Sequence, residues 1–167
     1  HVADLSFFAE KDENPENHFF YQFDKDLTVK GFDDSDVNLK LQATSNDTYL
    51  KSNKLESQLI NDNNIIENSF NLNLYSNDFS VNLETIAYED LNKKDNDRYE
   101  YVFPRLAFTK NFDNLNNLNG NFSIESDNLI RQYDTNVLEK RNINNFIFNS
   151  NIKINEFGFL NSYDVLL

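Results

Sequence analysis

Apolar and polar residues alternate along much of this chain with a period of two. In two stretches the apolar residues occupy every second position: Val37, Leu39 and Leu41 alternate with Asn38, Lys40 and Gln42, and Phe70, Leu72 and Leu74 alternate with Asn71, Asn73 and Tyr75. Successive side chains of a β-strand point to opposite faces, so this pattern predicts strands with one apolar face. The alternation restarts after Ser76-Asn77-Asp78, with Phe79, Val81 and Leu83 against Ser80, Asn82 and Glu84. Such a restart across a short turn predicts a hairpin.

Similar runs recur to the end of the chain, near residues 2 to 10, 19 to 29, 99 to 109, 120 to 126, 129 to 138, 143 to 154 and 157 to 166. Together they predict an all-β antiparallel meander of about ten strands. The connections are rich in Asn and Asp, which close turns through their own side chains. The segment from Asn46 to Asn61 does not alternate. Its apolar residues Tyr49, Leu50, Leu55 and Leu59 are spaced as in a short helix or a packed loop, and we expect a loop.

The strand near residues 99 to 109 has two interpretations. Tyr99, Tyr101 and Phe103 fall on odd positions, whereas Val102, Leu106 and Phe108 fall on even ones, with Pro104 between them. Either both faces of this strand are apolar, or a bulge near Pro104 shifts the register. Pro104 has no N–H to donate to a ladder, so one hydrogen bond must be missing there.

Composition narrows the class of protein. The chain has 167 residues, enough for one domain, and asparagine occupies 30 of them. Asparagine-rich sequences are often disordered, but 39% hydrophobic and 14% aromatic residues are too much apolar material for a disordered chain. The chain begins with His1 and contains no Met, so we expect it to be a fragment of a longer protein.

Charge and residue counts remove several kinds of site. Lys and Arg number 15 against 28 Asp and Glu, a net charge of −13, which disfavours nucleic acid as a partner. The absence of Cys excludes disulfides, thiolate zinc sites and cysteine nucleophiles. Three glycines are too few for a glycine-rich phosphate-binding loop.

No pattern of catalytic residues is recognisable. The acidic clusters Asp33-Asp34-Ser35-Asp36 and Asp95-Asn96-Asp97 lack the glycine and distal Glu of a calcium-binding loop, so we interpret them as solvated loops. His18 has no partner near it in sequence, and we interpret it as a loop or strand-end histidine. Two glycosylation sequons, at Asn46 and Asn121, are expected by chance in so asparagine-rich a chain, and the second would lie within a strand. The sequence predicts no enzyme, no metal site and no cofactor.

The 16 Phe and 8 Tyr residues fit two architectures, and composition alone favours the soluble one. Many of them cluster near predicted strand ends, for example Phe19 and Tyr21, or Tyr99 and Tyr101. In a membrane barrel such residues form girdles at the two interfaces. In a soluble β-sandwich they fill the core, and soluble β domains are the commoner class.

Four weak motifs, in order and at matching distances, resemble the barrel domain of the outer-membrane LPS-assembly protein family, LptD (OstA). The first is Ser45-Asn46-Asp47-Thr48-Tyr49-Leu50, similar to the turn after an early barrel strand, and the second is Phe79 to Leu91. The third, Tyr99-Glu100-Tyr101-Val102-Phe103-Pro104-Arg105-Leu106-Ala107-Phe108, resembles the family's strand that carries a central Leu-Pro pair. The fourth comprises Leu118 to Phe122, Leu129-Ile130-Arg131 and Arg141. Glu89 stands where the family has Gln, and the glycine usual after the first arginine is missing.

The resemblance implies that residues 1–167 are one segment of a large transmembrane β-barrel in the outer membrane of a Gram-negative cell. The family's N-terminal jellyroll and its remaining barrel strands would lie outside this segment. It further implies transport and insertion of lipopolysaccharide, with an LptE-like plug lipoprotein and an LptA-like periplasmic bridge as partners.

On this hypothesis the two faces of the strands have different surroundings. We expect seven apolar residues to face lipid: Leu39, Leu41, Phe70, Leu72, Leu74, Val81 and Leu83. We expect five polar residues to face a water-filled lumen: Asn38, Asn71, Asn73, Asn82 and Glu84. The alternative hypotheses are a soluble secreted or periplasmic β-sandwich that acts as a binding module, and a polysaccharide-active enzyme with two carboxylates in one cleft.

Overall fold

The chain is almost entirely β-structure in a computed structural model that describes residues 1–8, 16–53, 57–112, 119–133 and 136–167. Eight long strands follow one another: β1 (Val2–Phe8), β2 (Glu16–Asp26), β3 (Asp34–Thr44), β4 (Ile65–Tyr75), β5 (Phe79–Asp90), β6 (Tyr99–Phe112), β7 (Gly120–Tyr133) and β8 (Val137–Ser150). Three short strands come last: β9 (Lys153–Ile154), β10 (Leu160–Asn161) and β11 (Asp164–Leu166). A short helix α1 (Tyr49–Asn53) lies between β3 and β4, and a turn of 3₁₀ helix (Asp95–Arg98) precedes β6.

Nine of the strands form one antiparallel sheet, in the order β1-β2-β3-β4-β5-β6-β7-β8-β11. Each of β1 to β8 pairs with its neighbour in the chain, so the predicted antiparallel meander is confirmed. Strands β9 and β10 form a separate hairpin. Within the described residues the sheet is open, with β1 and β11 as its two edges.

Two of the predicted strand limits are wrong. Residues 120 to 133 form the single strand β7, because the polar pair Asp127 and Asn128 lies within the ladder rather than in a turn. Cross-strand partners satisfy both side chains: Arg105 Nε donates to Asp127 Oδ1 at 3.2 Å, and Asn128 Nδ2 donates to the Leu106 carbonyl at 3.4 Å. The run predicted over residues 157 to 166 is also broken, since Gly158 turns the chain with a φ of 81°.

The segment between β3 and β4 is not only a loop. Residues Tyr49–Asn53 form α1, so the helical spacing of Tyr49 and Leu50 describes the structure better than the loop that we expected. Leu55 lies outside the described residues. Asn46 begins this segment as a turn residue, because its Oδ1 accepts hydrogen bonds from the backbone N–H and the hydroxyl of Thr48.

Strand β6 contains the register shift that was one of its two interpretations. Its pairing with β7 is interrupted between Val102 and Arg105, on either side of Pro104. After the shift, Leu106 lies opposite Leu83 and Phe108 opposite Val81, both on the apolar side of β5. Before the shift, Tyr101 lies opposite Ala87, which is on that same side. The register shift therefore brings Tyr101, Leu106 and Phe108 to one face, whereas Val102 lies on the other.

Among the described residues the fully buried apolar side chains are few and most of them lie together. Phe20, Tyr49, Leu50, Leu59, Ile66 and Leu91 form one cluster at the end of the sheet where β2, β4 and β6 begin. By contrast, the apolar residues in the middle of β3, β4 and β5 are only half-buried. The extensive contacts of the long strands are with their neighbours in the sheet, so the sheet is a single layer.

Candidate functional surfaces of the sheet

One face of the sheet is apolar from β3 to β6, and we call it the apolar face. The register places Val37 opposite Leu72, Leu72 opposite Leu83, and Leu83 opposite Leu106 in one cross-strand row. All seven residues predicted to face lipid lie on this face: Leu39, Leu41, Phe70, Leu72, Leu74, Val81 and Leu83. That this face meets lipid stays a prediction.

Aromatic side chains lie towards both ends of the apolar face. At the end where β2 and β6 begin, Phe19 stacks with Tyr21 at 6.4 Å and Tyr99 stacks with Tyr101 at 6.2 Å between ring centroids. At the opposite end, Phe112 of β6 lies 5.8 Å from Phe122 of β7. The aliphatic row of Leu72, Leu83 and Leu106 lies between these two groups.

A trough of about 530 Å³ crosses the apolar face. Small side chains, Asn68, Thr85 and Ala87, form its floor on β4 and β5, and larger ones form its walls: Leu39, Leu41 and Phe70 on one side, and Tyr101, Phe103, Ile130 and Leu138 on the other. The trough lies where the short side chains of Asn68, Thr85 and Ala87 are surrounded by longer ones. Its lining is apolar enough to hold hydrocarbon.

The apolar character of this face ends at β7 and β8. Four uncharged polar residues at the middle of these strands form a closed ring of hydrogen bonds, which we call the amide ring. Ser126 Oγ donates to Asn144 Oδ1 at 2.7 Å, Asn144 Nδ2 to Asn142 Oδ1 at 2.5 Å, Asn142 Nδ2 to Asn128 Oδ1, and Asn128 Nδ2 to Ser126 Oγ at 2.9 Å. Sequence reasoning missed this ring because it divided β7 at Asp127 and Asn128.

The opposite face, which we call the polar face, carries all five residues predicted to line a lumen: Asn38, Asn71, Asn73, Asn82 and Glu84. Their side chains bond across strands. Asn82 Nδ2 donates to Asn73 Oδ1 at 2.6 Å, and Asn73 Nδ2 donates to Asp36 Oδ2 at 2.9 Å. Contact of this face with a lumen stays a prediction.

On β5 to β8 the polar face is charged. Arg105 of β6 contacts Asp127 of β7 through Nε at 3.2 Å and Glu84 of β5 through Nη1 at 3.9 Å. Arg141 of β8 lies 3.5 Å from the same Asp127, and Arg131 lies 2.6 Å from Glu100. Charges of both signs therefore alternate across four strands around a shallow cavity of about 310 Å³. Such cross-strand pairs favour this register of the sheet.

At one end of the sheet the polar face is covered by the segment between β3 and β4, which we call the cap (residues 46–53 and 57–64). His18, Phe20 and Gln42 of the polar face are buried beneath it. Gln42 Nε2 donates to the Leu59 carbonyl at 2.5 Å, so the cap is bonded to the sheet through its backbone as well as its side chains.

His18 has partners that sequence reasoning missed. Its Nε2 lies 3.1 Å from Asp4 Oδ1, and its Nδ1 lies 2.8 Å from Ser6 Oγ and 3.0 Å from the Tyr49 hydroxyl. Ser6 stands directly opposite His18 in the β1–β2 ladder, whereas Tyr49 comes from the cap. Asp4 and Ser6 share one face of β1, and that spacing was the only local signal of the cluster.

Arg98 connects the cap to the part of the sheet where β5 ends and β6 begins. Its Nη1 and Nη2 donate to the two oxygens of Asp47 at 2.8 and 2.6 Å, and its Nε donates to Glu89 at 2.8 Å. The Arg98 guanidinium holds the pKa of the Asp47 carboxyl below its usual range, chiefly through this hydrogen bond. The same bond raises the pKa of Arg98.

The structure also places an acidic cluster and a sequon that the sequence analysis considered. Asp33 accepts a hydrogen bond from the Asn77 backbone N–H at 3.1 Å. The sequon at Asn121 lies within β7, as expected. Among the described residues there is no group of three or more His, Asp or Glu side chains placed to hold a metal ion, and no helix is long and apolar enough to cross a membrane.

No protein-family model, curated protein or solved structure matches this chain.

Proposed function

We propose that this chain is a wall segment of a Gram-negative outer-membrane β-barrel that transports lipopolysaccharide and inserts it into the outer leaflet. The observation that supports this proposal most strongly is the single-layered antiparallel meander, which has an apolar face from β3 to β6 and a polar face opposite it. A sheet of this kind needs apolar surroundings on one side and water on the other.

The dimensions of the strands agree with a membrane wall. Strands β2 to β8 are 11 to 14 residues long, and a tilted membrane strand needs about 9 to 11 residues to cross the hydrocarbon core. Backbone groups of the long strands pair with the next strand, as a strand in lipid requires. The aromatic residues at both ends of the apolar face correspond to interfacial girdles.

The polar face suits a water-filled lumen. Amides and paired charges, such as Asn73 with Asn82 and Arg105 with Asp127, are stable next to water but costly in hydrocarbon. The open edges at β1 and β11 would pair with further strands of the same barrel.

The assignment to lipopolysaccharide rests on the resemblance to the LptD family. Its four motifs occupy distinct parts of the fold: the start of the cap, strand β5, strand β6 with its bulge, and strands β7 and β8. By this resemblance the barrel receives lipopolysaccharide from an LptA-like periplasmic bridge and holds an LptE-like lipoprotein in its lumen. The role of the chain is then that of a conduit without catalysis.

The test is a pair of arginine substitutions at adjacent positions of β4 in the full-length protein. Leu72→Arg places a charge on the apolar face, at a cost of about 2 to 4 kcal/mol near the bilayer midplane, whereas Asn73→Arg places it on the polar face. We expect Leu72→Arg to block assembly, measured by the heat-modifiable mobility of the barrel, and Asn73→Arg to be tolerated. Equal tolerance at both positions would contradict the proposal.

The transport step has its own readout. Cells that carry Leu72→Arg as the sole copy should fail to present newly made lipopolysaccharide at the surface, whereas cells with Asn73→Arg should present it. If neither variant is found in the membrane and newly made lipopolysaccharide still reaches the surface normally, the protein does not have this transport role.

A further inference from the structure

The cap spans the end of the sheet from β1 to β6. On one side, the Tyr49 hydroxyl lies 2.7 Å from Ser6 Oγ of β1, and Asn53 Nδ2 donates to Glu16 of β2 at 3.1 Å. On the other side, Asp47 is bonded to Arg98 just before β6, and Lys51 Nζ donates to Asn92 Oδ1 at 2.5 Å. A segment with contacts to both sides lies across this end of the polar face rather than beside one hairpin.

The burial beneath the cap is much greater than elsewhere in the described sheet. Phe20 is 0% exposed, Leu50 is 1% exposed and Ile66 is 1% exposed. These side chains are the tightest apolar packing in the described part of the chain, and two-residue alternation does not account for them. The cap therefore has a fixed position against the polar face and is not a solvated loop.

We propose that the cap closes this end of the barrel lumen to small hydrophilic solutes. This inference rests on the proposed function, because only in a barrel is the polar face a lumen wall. The cap spans the six neighbouring strands β1 to β6 and packs on the inner face. It therefore reduces the open cross-section of the lumen at that end.

The two ends of the cap are held to the sheet by contacts of different strength, so one end can detach more easily than the other. At the Tyr49 end it is held by buried side chains. At the Asp47 end it is held by polar contacts: the bond from Lys51 to Asn92, and an ion pair in which the Asp47 side chain is 52% exposed and Arg98 is 19% exposed. A half-exposed ion pair contributes little free energy compared with buried apolar side chains. We therefore expect the Asp47 end to detach first, with Arg98 as the fastening residue.

The test is ion conductance of the full-length protein in planar bilayers. Arg98→Gln removes the cation that bonds Asp47 and Glu89, and we expect a conductance several-fold above that of the wild type. Lys93→Gln is the matched control: it removes one positive charge at the same end of the sheet, but within the described residues the Lys93 ammonium pairs with Asp90, at 3.9 Å, and not with the cap. Its conductance should equal that of the wild type. Equal conductance of the wild type, Arg98→Gln and Lys93→Gln would overturn the cap as a closure.

A cross-linking experiment keeps the inference testable if Arg98→Gln weakens folding. The chain has no Cys, so the double variant Asp47→Cys/Arg98→Cys has two unique thiols where the ion pair was. With any other cysteines of the full-length protein removed, its conductance should be high and should fall when a short bismaleimide joins the two thiols. A conductance that the cross-linker leaves unchanged would overturn the inference.

The experiments distinguish an error about the cap from an error about the barrel. A protein that inserts as a heat-modifiable barrel but conducts equally in all variants contradicts the cap alone. A protein that never inserts, with or without Arg98→Gln, contradicts the barrel itself and the cap with it.

Discussion

At the scale of single residues, many polar side chains of the described sheet are paired across strands. Asp127 accepts from both Arg105 and Arg141, and Gln42 bonds the backbone of Leu59 and of Glu67. Each of these contacts joins residues from different strands or from the cap. The asparagine and acidic side chains therefore specify the register of the strands, which apolar alternation alone leaves open by steps of two residues.

Gly120 is a residue at which no side chain fits. A Cβ at this position would lie 2.4 Å from the Asn149 carbonyl oxygen and 2.8 Å from Ser150 Cα, both of them backbone atoms. We expect Gly120→Ala to lower the free energy of unfolding by about 1 to 3 kcal/mol, because β7 and β8 must move apart. Urea unfolding followed by circular dichroism measures it, with Ser123→Ala on the same strand as the control. Equal midpoints for the two variants would contradict the close approach.

Asp47 makes the attachment of the cap dependent on pH. Because its pKa in the folded chain is lower than the ordinary value of 3.8, its bond to Arg98 stabilises the cap above pH 3.8 and is lost as the pH falls through the folded value. A spin label at Ser52→Cys should therefore gain mobility on acidification below pH 3.8. With Asp47→Asn added, the label should be mobile already at neutral pH. Identical titrations with and without Asp47→Asn would contradict this role.

At the scale of elements, the alternation predicts most strands and their faces, and it fails where polar side chains are satisfied across strands. The restart from Phe79 to Leu83 predicts β5 and its hairpin with β4, both of which the structure has. Asp127 and Asn128 read as a turn in the sequence, yet they lie in the middle of β7, because their partners on β6 are more than 20 residues away. Single-sequence patterns do not contain such pairings.

The cap was beyond prediction for the same reason. Its position depends on Tyr49 meeting Ser6 and His18, and on Asp47 meeting Arg98, which lies 51 residues away in sequence. Helical spacing indicated Tyr49 and Leu50 as a packed pair, but no periodicity showed what they pack against. The sequence predicts the two faces of the sheet, but it does not predict that the cap covers one of them.

The amide ring gives a prediction about the pairing of β7 with β8. Asn142→Ala should cost about 0.5 to 1.5 kcal/mol of unfolding free energy, because it leaves Asn128 and Asn144 with unmet hydrogen bonds. Replacing all four members together, Ser126→Ala with Asn128→Leu, Asn142→Leu and Asn144→Leu, should restore much of the loss, since no unpaired group remains. Urea unfolding of the single and fourfold variants distinguishes the cases. A fourfold variant less stable than Asn142→Ala would contradict a self-contained ring.

At the scale of the whole molecule, the described long strands form one single-layered antiparallel sheet. Its apolar face has a single layer of half-buried side chains, and its one tight cluster lies on the opposite side under the cap. A soluble β-sandwich places its apolar stripes against each other, and a membrane wall places them against hydrocarbon chains. What contacts Leu72 and its neighbours therefore distinguishes the two architectures.

Quenching of single-cysteine labels in lipid vesicles measures that contact directly. The chain has no Cys, so Leu72→Cys and Asn73→Cys each give the full-length barrel, with any other cysteines removed, one labelled position on β4. We expect brominated lipids to quench the fluorophore at position 72 and not at 73, and aqueous iodide to do the reverse. Iodide quenching at both positions, with no effect of the brominated lipid at 72, would contradict it.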